Sequence, residues 1–240
     1  MYETAPMRAP VDRFWQSIRA KYGQGADRLD RKTDPHVTWL APDLVLSQTC
    51  GLPYRSVLSD KVQLVGTPDY GLPDCPPGYY RSHLIARADD PRHRLDDFAG
   101  ARLARNDVRS QSGWAAVVTH AAEKVPGFRF SEDIADTGSH LNSLNAVREE
   151  QADIASVDSV TWSLLDRDTT ETRGLKVIES TRPSPGLPFI TAPRQNVQAL
   201  RAAIREAIAE LTPEDRALLL IRDLVWIPPE TYHDVPTPSE

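Results

Sequence analysis

Three short stretches of this chain combine hydroxyl, amide and imidazole groups in a way that suits holding an oxyanion. Ser110-Gln111-Ser112-Gly113 offers two hydroxyls, a side-chain amide and a glycine that permits close approach. Gly138-Ser139-His140 repeats the arrangement, with His140 able to donate through a ring nitrogen. Asp158 follows the apolar run Ile154-Ala155-Ser156-Val157 and suits a ligand cation or hydroxyl. Each of the three also reads as an ordinary helix cap, because Ser and Asp side chains accept from the first free N–H groups of a helix. Gln48-Thr49-Cys50-Gly51 is a fourth polar turn and could supply an opposite wall. Cys50 as a nucleophile with His140 or His120 lacks the surroundings of a recognisable catalytic cysteine. Tyr79 and Tyr80 fit a core, a cleft lining or, beside a His and an Asp, a metal site, with aromatic packing the simpler reading. There is no Gly-x-Ser-x-Gly elbow, no P-loop and no dinucleotide fingerprint.

The elements around these turns repeat one theme. Strands are expected at 102–104, 128–134 and 152–157, each followed by a polar turn and then a helix. That pattern predicts a parallel α/β lobe, in which ligands sit beyond the carboxyl ends of the strands where helix N-termini point. Unpaired N–H groups and the helix dipole make such ends anion sites. Before this block, Phe14, Trp15, Ile18 and Tyr22 lie at helical spacing. After it, Val197, Leu200, Ile204 and Ile208 form the clearest apolar stripe, over 196–211, and Pro213 after Thr212 starts another helix. Residues 79–87 and 174–181 read as extended, and the tail from Pro228 as irregular.

Composition bounds the function. The chain has 240 residues, 40% hydrophobic and 26% charged, as an ordinary globular protein has. A net charge of -6 argues against nucleic acid as a general partner. No apolar run approaches the length of a membrane span. Twenty prolines cluster at connections. Cys50 and Cys75 have no metal-type spacing, and their pairing is left open. The first residues show charge and no apolar signal core, so the chain is cytoplasmic or its export signal lies outside this sequence.

Taken together, 46–53 (Leu-Ser-Gln-Thr-Cys-Gly-Leu-Pro), 65–70 (Val-Gly-Thr-Pro-Asp-Tyr), Tyr80-Arg81-Ser82, Asn106-Asp107 with Ser110-Gln111-Ser112-Gly113-Trp114, Thr137-Gly138-Ser139-His140 and the run 152–162 resemble one family. It is the phosphate/phosphonate-type substrate-binding proteins of ABC transporters. The resemblance covers roughly residues 40–230. It implies the type 2 periplasmic-binding fold: two Rossmann-like α/β lobes joined by two crossover strands, with the ligand cleft between them. Lobe 1 would be 1–79 and 182–240, lobe 2 would be 80–181, and 79–87 and 174–181 would be the crossovers. The resemblance further implies a small anionic or zwitterionic ligand, phosphate- or phosphonate-like. Ser110, Gln111, Ser112, Gly113, Ser139 and His140 would hold its oxyanion, and Asp158 a ligand amine. Gln48, Thr49 and Tyr80 would line the rest. No catalytic residue, metal or cofactor is expected. A transporter permease is the expected partner, nucleic acid is not, and the protein would be a monomer of the periplasm, with the cytoplasm as the alternative. An enzyme or a metal-binding protein on the same bilobal scaffold is the alternative function.

Overall fold

A computed structural model describes residues 2–238. The chain divides into two units, one of the residues up to Tyr79 with Pro185–Asp234, the other of Tyr80–Ser184 with the segment from Val235. Along the chain, the two larger sheets use β1 (Ser47–Gln48), β2 (Gln63–Asp69), β3 (Ser82–Arg87), β4 (Leu103–Arg105), β5 (Ala135–Asp136), β6 (Ile154–Asp158), β7 (Leu175–Ser180), β8 (Phe189–Thr191) and β9 (Asp223–Val225). Helices of seven residues or more are α1 (Arg8–Tyr22), α2 (Ala116–Lys124), α3 (His140–Arg148), α4 (Ser159–Asp168), α5 (Val197–Ala209) and α6 (Pro213–Leu219).

The first unit carries an antiparallel sheet of order β1-β8-β2-β9. α1 buries Phe14, Trp15 and Ile18 and stops at Gly23, whose φ of 80° suits a residue without Cβ. α5 buries Leu200, Ile204 and Ile208, and the Asn196 side chain caps it by accepting from Ala199 N–H. Thr212 caps α6, with Pro213 as its first residue. The tail is more ordered than its prolines suggest. Pro229–His233 forms a helical turn because Tyr232 is buried, donates to the Gly186 carbonyl at 3.0 Å and lies 2.5 Å from Thr67 Oγ1. Cys50 and Cys75 are both free.

The second unit carries a five-stranded sheet of order β5-β4-β6-β3-β7. β4 runs parallel to both β5 and β6, while β3 is antiparallel to β6 and β7. Residues 79–87 and 174–181, expected as crossovers, thus contribute two paired strands of this sheet. Three strand–turn–helix steps build the rest: β4 to α2, β5 to α3 and β6 to α4. Successive side chains of a strand face opposite ways. Leu84 and Leu103 pack with Phe98, Val117 and Ile154 in one core, and their neighbours Ile85 and Ala104 pack with Leu144, Val157 and Leu165 in another. All five residues of β6 are buried, as expected of a strand covered on both faces. The strand expected at 128–134 does not form; a two-residue strand, Ala135–Asp136, follows that segment. Phe128 and Phe130 instead stack edge to face, 4.8 Å apart, against the first core, and this segment bonds to the Gly100–Ala101 loop.

Candidate ligand-binding site

Two polar turns at the ends of adjacent parallel strands are stitched together. After β4 comes Asn106, and after β5 comes Thr137. Thr137 N–H donates to the Arg105 carbonyl at 2.9 Å, and Gly138 N–H donates to the Asn106 carbonyl at 3.0 Å. Helix starts leave their first N–H groups without intrahelical acceptors. The polar turns leading to these two starts are therefore joined directly through their backbones.

The first start is wound unusually. Gln111–Ala115 forms a π-turn ahead of α2, with Ala115 N–H donating to the Ser110 carbonyl at 3.1 Å. Ser110 caps it, its Oγ accepting from Gly113 N–H at 2.9 Å. Ser112 Oγ lies 3.5 Å from Ser110 Oγ. Ser110, Gln111 and Ser112 are all buried. A Cβ added at Gly113 would stand 1.9 Å from Asn106 Oδ1, so this position admits only glycine with Asn106 where it is. Asn106 Oδ1 is itself buried with no hydrogen-bond partner among the described residues.

The second start brings His140 against the first. His140 Nε2 lies 3.1 Å from Ser112 Oγ and 3.2 Å from Asp158 Oδ2. A carboxylate only accepts, so Asp158 favours the tautomer that carries its proton on Nε2. Burial pushes the His140 imidazole below its ordinary 6.5, against the opposing pull of Asp158 and of the Ser156 carbonyl. The ring is therefore neutral at neutral pH. Ser139 Oγ caps α3, accepting from Asn142 N–H at 3.1 Å. Asp158 is buried and already engaged: Oδ1 accepts from Thr161 N–H at 2.8 Å and Oδ2 from Thr161 Oγ1 at 2.5 Å.

Arginines close by in sequence do not charge the site. Arg105 pairs with Asp136 at 2.6 Å and stacks over Trp114, and Arg109 pairs with Asp107 at 3.0 Å. The donor set is thus hydroxyls, backbone N–H groups and a neutral imidazole. Such a set binds an oxyanion by hydrogen bonds that strengthen when the acceptor is ionised.

Ser110, Gln111, Ser112, Gly113, Ser139, His140 and Asp158 are thus gathered in the second unit. Tyr80 is buried at the start of that unit. Gln48 and Thr49 belong to the first unit, where Gln48 Nε2 donates to the Leu187 carbonyl at 3.1 Å and to Tyr70 OH at 3.3 Å, and Thr49 Oγ1 to the Cys50 carbonyl at 3.3 Å. Among the described residues, no three His, Cys, Asp or Glu side chains are grouped to hold a metal ion. The supporting roles of three residues escaped the sequence reading. Ser156 Oγ donates to the Ser112 carbonyl at 2.6 Å, Thr161 fixes Asp158, and Asn106 fills the space above Gly113. A serine within an otherwise apolar run, Ile154-Ala155-Ser156-Val157, was the one visible signal.

This fold is that of the type 2 periplasmic-binding class. The family model described as ABC transporter, phosphonate, periplasmic substrate-binding protein matches residues 46–229, and the chain belongs to that family. The chain superposes on PhnD1 from Prochlorococcus marinus, in complex with methylphosphonate, with a TM-score of 0.74 at 10% identity, covering 97% of this chain and 92% of that one. XAC2383 from Xanthomonas citri, bound to ATP, gives a TM-score of 0.64 at 15% identity, over 95% and 90% of the two chains. A binding protein component of an ABC phosphonate transporter from Pseudomonas aeruginosa, PA3383, gives 0.67 at 16% identity, over 93% and 78%. No curated protein matches the chain. No helix among the described residues is long and apolar enough to cross a membrane.

Proposed function

We propose that this protein delivers a small phosphorus oxyanion, phosphate or a phosphonate, to an ABC transporter permease from the periplasm. It holds the anion at the helix starts of Ser110 and His140 and releases it chemically unchanged, acting as a monomer. One observation carries this reading: the turns after two adjacent parallel strands are joined by Gly138 N–H to Asn106 O, and their helix starts meet at Ser112 Oγ and His140 Nε2. Ser110, Ser112 and His140 supply the side-chain donors. The site needs no lysine, because helix N-termini already favour negative charge.

Calorimetry with inorganic phosphate, methylphosphonate and sulfate tests the reading. Binding of at least one phosphorus oxyanion is expected, with Ser112→Ala and His140→Ala each weakening it by about 1.5–3 kcal/mol, roughly 10- to 150-fold. Wild-type affinity in both variants, or no oxyanion bound at all, removes the proposal. Phosphorus NMR of the incubated ligand separates a binder from an enzyme, since a binder returns the same species.

A further inference from the structure

The ring of His140 is surrounded by acceptors. Nε2 lies 3.1 Å from Ser112 Oγ and 3.2 Å from Asp158 Oδ2. Nδ1 is buried with no hydrogen-bond partner among the described residues. With its one proton on Nε2, a neutral imidazole presents Nδ1 as an acceptor with nothing to accept. A buried group left unsatisfied in this way is costly. The Ser156 carbonyl, the backbone acceptor that acts on this ring, favours a second proton. Carboxylate, carbonyl and hydroxyl are together the surroundings of an imidazolium, which donates from both nitrogens.

What the ring lacks is negative charge. Asp158 is the charged group that acts on it, and Asp158 shares its oxygens between His140 and Thr161. The Gln111–Ala115 turn holds no titratable side chain, and the first turns of α3 and α4 hold no acidic one. On β4, Arg105 is paired with Asp136. On β3, His83 lies opposite Val157 and feels Asp158 and Arg81. Burial therefore keeps the His140 ring neutral at neutral pH. Yet 13% of its side chain stays exposed, so a ligand can reach it. An oxyanion accepting from Ser112 Oγ would stand within about 6 Å of Nε2, two hydrogen-bond lengths. An opposite charge at that range favours the charged form of the ring.

We propose that His140 takes up a proton as the oxyanion binds, so that the site captures anion and proton together and holds the anion more tightly in acid. The inference rests on the oxyanion reading and adds the charge which that site needs. With a neutral ring, the anion and the Asp158 carboxylate would stand close as like charges. An imidazolium compensates one of them. The proton comes from solvent and enters at Nδ1, and no bond to phosphorus forms or breaks. Release reverses the step: the proton leaves with the anion, so less acidic surroundings favour unloading.

NMR titration of the His140 ring, assigned with His140→Asn, reads the step directly, with methylphosphonate and inorganic phosphate as probes. The pKa is expected below 6.5 in the free protein. It is expected about one unit or more higher at saturation with a probe that binds. Calorimetry with methylphosphonate in buffers of different ionisation enthalpy counts the protons. At about pH 6, where this ligand is mostly a monoanion, wild-type protein should draw protons from the buffer on binding. His83→Asn should do the same, and His140→Asn should draw none. A ring that does not shift at saturation overturns the proposal, as does proton uptake that persists in His140→Asn. If methylphosphonate binds and Ser112→Ala weakens it while the ring does not shift, the oxyanion reading stands and only this inference falls. If neither probe binds, both fall.

Discussion

Asp158 Oδ2 stands 3.2 Å from His140 Nε2 while both Asp158 oxygens are also held by Thr161. The carboxylate that a sequence reading assigns to a ligand amine is thus occupied by its own helix and by the imidazole of the next one. In the proposed site it would act on the ligand through His140, by fixing which ring nitrogen carries the proton. Ser112 Oγ, 3.1 Å from the same nitrogen, keeps its own proton for an incoming acceptor.

Asp158→Asn tests this positioning role. Asparagine retains an acceptor oxygen for Thr161 N–H, so α4 keeps its cap. The charge beside His140 is lost, and with it an interaction that holds the His140 pKa up. NMR titration should show that pKa falling further below 6.5. Affinity should drop by about 1–2 kcal/mol, roughly 5- to 30-fold, equally for methylphosphonate and an aminoalkylphosphonate. A loss confined to the amine-bearing ligand would instead make Asp158 a ligand contact.

Stability should depend on pH through two histidines. Burial lowers the pKa of His140, and burial with help from Arg81 lowers that of His83, with Asp158 opposing both shifts. In the unfolded chain each takes a proton near 6.5, while in the folded protein each resists it. The unfolded state therefore binds more protons just below that pH, so stability is full above 6.5 and falls as pH drops through it. The limiting slope is about 1.4 kcal/mol per pH unit for each proton. Asp90, held at about 2 chiefly by Arg92, titrates well outside this window. Thermal melts between pH 7.5 and 5.5 should show a falling Tm, and His83→Asn should flatten the fall. A Tm that rises on acidification contradicts the argument.

The turns were legible because caps and anion donors use the same residues. Serine or aspartate between an apolar strand and an apolar helix marks a helix start whatever the helix binds, so Ser110, Ser139 and Asp158 could be placed without a structure. What those side chains point at was not legible. The contact of Asn106 Oδ1 with Gly113 and the bond from Ser156 Oγ to the Ser112 carbonyl depend on how β4 and β6 lie side by side, not on local spacing. Apolar content misled at 128–134, where Phe128 and Phe130 fill a core from a loop. The proline-rich tail misled in the other direction, because one buried hydroxyl, that of Tyr232, orders it.

Gly113→Ala should be costly for a reason that a second mutation can remove. The new methyl would meet Asn106 Oδ1 at 1.9 Å. Overpacking of this kind costs about 1–3 kcal/mol. Adding Asn106→Ala opens the space, so the double variant should recover much of the loss. Denaturant unfolding of the two singles and the double gives the coupling. Strict additivity would mean that the strain at Gly113 comes from elsewhere.

The last expectation concerns salt. Arg105 and Arg109 are paired with Asp136 and Asp107, and Asp158 adds negative charge beside the site, so neither of these two arginines offers the anion an uncompensated charge. Its attraction comes from hydroxyls, N–H groups and helix ends at short range. Charges separated by more than a Debye length of about 10 Å at 0.1 M salt are screened, whereas buried contacts at hydrogen-bond distance are not. Binding should therefore be nearly insensitive to ionic strength, with Kd for the preferred oxyanion changing by less than about threefold between 0.02 and 0.5 M sodium chloride. A site built on free lysines or arginines would lose far more affinity over that range. Calorimetry at the two salt concentrations decides it. A steep loss would show that unpaired cations, and not the two helix starts, bring the anion in.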